Sequence, residues 1–135
     1  MISYDPAYSE ISSRFESPRD HLAAAIRTLL ADAKKAETEK LFVEIWSLAT
    51  RDPMLCEIFD RMYTHHRENL GLLIAAANPA LSFRQVKLRA ALVAMQIEGL
   101  MLLISEAKPR HVELEGIEEE CVAAVLRIVD EAPGI

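Results

Sequence analysis

Prolines cut this chain into helix-length pieces, and that punctuation constrains its fold more than any other feature. Proline fixes its own φ and lacks an amide hydrogen, so it suits the first turn of a helix and disrupts the interior. Asp5-Pro6, Ser17-Pro18 and Asp52-Pro53 each set a capping side chain directly before a proline, which marks a helix start. Asn78-Pro79 and Lys108-Pro109 read as helix ends. Ser82-Phe-Arg-Gln85 has the form of a capping box, and Asp20 stands where it can answer Ser17 in the same way. Between these marks the chain is rich in Ala, Leu, Glu and Arg, with no alternating strand pattern, repeat or low-complexity tract. The expectation is an all-α fold of five to six helices, at about 6–15, 18–36, 38–51, 53–77, 82–107 and 117–131. Residues 1–16 form an N-terminal segment with a short helix, and 17–135 a single domain.

Composition excludes several classes. With 51% hydrophobic and 27% charged residues the chain is globular in type, not disordered. A net charge of −6 argues against a free-standing nucleic-acid binder, which carries a basic face. Arg14, Arg19, Arg27, Lys34 and Lys35 are spread along helices that also hold acids, as on solvated faces. Cys56 and Cys121 show no metal or redox spacing and no disulfide framework, so a reducing cytoplasm is expected. The N-terminus lacks a signal peptide's basic and apolar regions. The longest apolar run, 92–104, contains Gln96 and Glu98 and falls short of the ~20 residues a membrane span needs. There is no phosphate loop, H-E-x-x-H or nucleophile elbow, so neither catalysis nor a cofactor is expected. His65 and His66, being consecutive in a helix, diverge and make a poor metal pair.

Two helices carry more apolar surface than one buried face requires. Over 82–107, one stripe holds Leu88, Leu92, Met95, Leu102 and Leu103, and a second holds Val86, Val93, Ile97, Leu100, Met101 and Ile104. The last helix is apolar over more than half its circumference. Both therefore suggest self-association, with Val93, Ile97, Leu100, Met101, Ile104, Val125, Ile128 and Val129 as the expected homodimer interface. In 53–77, Leu55, Ile58, Phe59, Met62, Tyr63, Leu70 and Leu73 form an apolar arc with His66 in its middle and Asn69 at its edge. Those two either satisfy one another and the backbone or meet a polar ligand.

The stretch LFVEIWSLATRDPMLCEIFDRMYTHHRENLGLLI, residues 41–74, resembles the ligand-binding half of TetR-family transcriptional regulators. The family pattern E-x-W/L-A-x-A-x-R-D-P is met here by Glu44, Trp46, Ala49, Arg51, Asp52 and Pro53. Leu55 and Phe59 match the start of the following L-x-x-x-Y/F-x-x-x-x-R-x-x-L, and Arg67 and Leu70 match its R-x-x-L end after a longer gap. Residues 89–104, RAALVAMQIEGLMLLI, are similar to the family's long dimerisation helix, with Glu98-Gly99-Leu100 at its centre. The resemblance runs over about 18–131 in helix order. It implies a TetR-like C-terminal domain whose last two long helices form a dimeric four-helix bundle, and which binds a small, mostly apolar effector.

Phe42, Trp46, Phe59, Met62, Tyr63, His66, Asn69, Met95 and Gln96 are the pocket lining so implied, although Phe42, Phe59 and Met62 also suit plain core. One departure stands out. The family's three-helix DNA-binding head has no counterpart in residues 1–40, so DNA contact is expected only through a separate N-terminal part. The chain is then either a C-terminal piece or a headless dimerisation module that pairs with a full-length relative. A helical enzyme using His66 with Asp60 or Glu98 has no motif behind it.

Overall fold

The computed structural model describes residues 17–131, so the short helix expected at 6–15 lies outside the described residues. Five α-helices follow one another: α1 Pro18–Ala33, α2 Ala36–Ala49, α3 Pro53–Ala77, α4 Phe83–Ile104 and α5 Ile117–Asp130, with a 3-10 turn at Val112–Leu114. No strand occurs among the described residues, and the chain is all-α as expected.

The caps act where the sequence placed them. Ser17 Oγ accepts from the amides of Arg19 and Asp20 at 3.1 and 3.2 Å. Asp52 Oδ1 accepts from Met54 N at 2.9 Å, opening α3. Ser82 and Gln85 form the reciprocal capping box at the start of α4, with bonds of 2.8 and 3.2 Å. Several ends differ from expectation: α1 stops at Ala33, not at 36, and α2 at Ala49, not at 51. α2 starts at Ala36, not Thr38, without a side-chain cap; Glu37 and Glu39 put negative charge in its first turn instead. α4 stops at Ile104, not Ala107, because the next groups bond elsewhere. Ser105 Oγ accepts from Ala107 N, and Glu106 N donates across to Lys34 O at 2.7 Å.

α1 runs through the middle of the domain and packs on α3, α4, α5 and, more lightly, α2. Leu22, Ile26 and Leu30 of α1, Leu70 and Ile74 of α3, Val93 of α4, and Val125 and Val129 of α5 are essentially fully buried. Each such burial is worth roughly 1.5–3 kcal/mol, so this core is where the fold gains its stability. Gly71 permits a close approach of α3 to α4, since a Cβ there would lie 3.3 Å from Val86 Cγ1. α5 is clamped to α1 by Arg19–Asp130, Arg27–Glu119 and Lys34–Glu118, all within 3.0 Å. These pairs are exposed and worth under about 1 kcal/mol each, so they set register more than stability. Asn78 Nδ2 donates to Val129 O at 2.7 Å, and Arg89 Nη1 donates to Ile128 O and Glu131 O at 2.7 Å, satisfying the C-terminal carbonyls of α5.

The residues expected at the interface pack within the chain itself. Val93, Ile97, Leu100, Met101, Val125 and Val129 lie in the chain's own core, and Ile104 and Ile128 pack against it half-buried. Spacing reveals two apolar stripes on α4 but not which one the chain's own helices cover. They cover the Val93–Met101 side. The other stripe, Leu88, Leu92, Met95, Leu102 and Leu103, is left between 46% and 61% exposed. No helix among the described residues is long and apolar enough to cross a membrane.

Candidate functional site

Four helices converge on a small, partly open cavity of ≈ 40 Å³. The last turn of α1 brings Leu29, Asp32 and Ala33 to it, and α2 adds Thr38 and Phe42, one turn apart. Tyr63 and His66 reach it from α3, and Ile97, Glu98 and Met101 from α4. Its size admits a few waters, well below the ~300 Å³ of an ordinary small-molecule pocket. The wall is mostly apolar, with polar groups contributed by all four helices.

Burial sets the charge state of those polar groups. It pushes the Tyr63 hydroxyl up to about 12, opposed by the Trp46 hydrogen bond and reinforced by the Glu98 charge. It lowers the His66 pKa, and the nearby Arg67 and His65 charges lower it further, so the imidazole is neutral at neutral pH. Burial raises the Glu98 carboxyl above its ordinary value, with Arg67 offsetting part of the effect. Asp32, by contrast, sits 3.5 Å from Lys35 Nζ. The cavity thus presents a neutral imidazole, a neutral phenol, a hydroxyl and two carboxyl groups, of which Glu98 ionises reluctantly.

An aromatic cluster stands beside it. The Phe42 ring lies 6.3 Å from Trp46, edge-on, and 6.1 Å from Tyr63. Trp46 Nε1 donates to Tyr63 Oη at 2.6 Å. Trp46 itself lines a shallow outer depression of ≈ 340 Å³ with Asp60, Arg67, Ala91, Ala94, Met95, Tyr63 and Glu98. Tyr63 and Glu98 border both hollows and form the partition between them.

Of the residues named from sequence, Phe42, Tyr63 and His66 face the inner cavity. Trp46 and Met95 face the outer depression, and Gln96 faces a groove between α4 and α5. Phe59, Met62 and Asn69 are half-buried and line neither hollow. Leu29, Asp32, Ala33, Thr38, Ile97, Glu98 and Met101 were not foreseen as lining. Asp32 offered a signal: an acid three residues after Leu29 and next to Ala33, at the edge of an apolar helix face.

Hydrogen-bonding groups of four helices thus converge on a mostly apolar cavity. The family model describing the BetI-type transcriptional repressor C-terminal domain matches residues 18–130. No curated protein and no solved structure matches the chain. From the start of α1 to the end of α5 the match spans every described helix, and the chain belongs to the family of BetI-type transcriptional repressor C-terminal domains.

Proposed function

We propose that this chain is the effector-binding and dimerisation half of a cytoplasmic transcriptional regulator. The effector is a small, largely apolar molecule with a polar end, held among α1, α2, α3 and α4. The observation that carries this reading is the inner cavity. Leu29, Ile97 and Met101 supply apolar contact there, while Thr38, Tyr63, His66 and Glu98 can fix a polar end. Two copies pair through the uncovered stripe of α4 and the adjoining face of α5, where Gln96, Gly99, Leu103, Ala124 and Arg127 line a shallow groove. DNA contact belongs to a separate N-terminal head. The effector then acts by shifting the equilibrium between two arrangements of the paired subunits that differ in affinity for DNA.

A ligand-library thermal-shift screen, read together with fluorescence of the single tryptophan, tests the effector reading. Hits raise the melting temperature by mass action and alter Trp46 emission, since its Tyr63 partner borders the cavity. His66→Phe and Phe42→Ala weaken those hits. A screen without stabilising compounds, or hits indifferent to both substitutions, contradicts the reading.

A further inference from the structure

The inner cavity is too small for an organic occupant, so binding must displace one of its walls. The α1, α3 and α4 walls each belong to helices with several fully buried apolar residues. α2 differs. Its single buried residue is Glu39, a charged one, while Leu41, Val43 and Leu48 point outward, each nearly half-exposed. Moving α2 therefore uncovers little core.

What fastens α2 is polar. Near its first turn Lys108 Nζ lies 3.0 Å from Glu39 Oε1, with the Glu39 side chain 8% exposed. The nearby Ser105 hydroxyl, together with Lys108, holds the Glu39 pKa below its ordinary value. Lys108 and Ser105 belong to the loop after α4, which is tied to the end of α1 through Glu106 N and Lys34 O at 2.7 Å. The latch thus joins α2 to a fixed post. Near the C-terminal end of α2 the Trp46–Tyr63 hydrogen bond is the second fastening. Thr38 directly precedes Glu39 and Phe42 follows it by three residues, so latch and cavity wall share one stretch of helix.

We infer that α2 is a gate over the inner cavity, held closed by the Glu39–Lys108 ion pair and the Trp46–Tyr63 hydrogen bond. The gate's role in admitting an effector rests on the function proposed above, but its opening is measurable without one. Amide hydrogen exchange on the full chain compares the parent with Lys108→Met and, separately, Trp46→Phe, which releases the opposite end. The expected result is that residues 38–49 exchange faster than α1 and α4 already in the parent, and at least tenfold faster still in both variants. The fluorescent probe 8-anilinonaphthalene-1-sulfonate should bind more to each variant than to the parent. Protection across 38–49 equal to that of α1 and α4 in the parent, or unchanged exchange across 38–49 in the variants, overturns the gate. Failure here alongside stabilising ligands in the screen would remove the gate and keep the pocket. An empty screen with selective α2 opening would do the reverse.

Discussion

Glu98 shows how far one residue departs from its helical neighbours. Its carboxyl faces the interior from a helix edge, and burial raises its pKa, so the folded state resists its ionisation. Below its ordinary value near 4.5 the group is neutral in both folded and unfolded chains and carries no penalty. As pH rises through the raised folded value, the unfolded chain releases its proton more readily and stability falls. Glu98→Gln is therefore expected to match the parent below that window and exceed it at pH 7, measured as urea midpoints at both pH values. Trp46 makes the opposite case. Trp46→Phe removes the donor to Tyr63 Oη and should cost about 0.5–1.5 kcal/mol in the same unfolding experiment.

Phe42, Tyr63 and His66, which the family resemblance implied as pocket lining, border the inner cavity. Thr38 read as a helix start and Glu98 as the centre of the dimerisation-helix resemblance. Lining depends on the angles at which four helices cross, and no single helix's periodicity contains those angles.

At the scale of elements, the starts of α1, α3 and α4 were readable because a capping side chain satisfies backbone amides locally. Ser82→Ala should accordingly cost about 0.5–2 kcal/mol, read from the thermal or urea midpoint. The end of α4 was not readable, since the bond that ends it crosses to Lys34, far away in sequence. The division of α4 into inner and outer stripes was readable as a pattern but not as an assignment. Only the packing of α1, α3 and α5 against Val93, Ile97, Leu100 and Met101 settles it. Gly99 sits on the outer side, where an added Cβ meets nothing within 4 Å. Gly99→Ala is thus expected to stabilise the isolated fold by roughly 0.5–1 kcal/mol through helix propensity. If α4 meets its counterpart in a second copy there, the same methyl group holds the helices apart and weakens the dimer. Unfolding at low concentration and sedimentation should therefore move in opposite directions.

At the scale of the molecule, α4 faces two ways. Inward, it completes the core and the cavity; outward, it presents leucines and a methionine whose burial against a second copy is worth roughly 1 kcal/mol each for half-exposed side chains. The opposite assignment would put Val93 and Val125 at the interface, and both are wholly enclosed within one chain. The most direct test is the mass in solution of the parent and of Leu92→Glu, by light scattering at micromolar concentration. The account predicts twice the 15.1 kDa chain mass for the parent. For Leu92→Glu it predicts a folded monomer with unchanged helicity, because Leu92 lies outside the core and a charge on the stripe resists burial. A parent that is monomeric at that concentration, or a Leu92→Glu dimer as stable as the parent's, would contradict it.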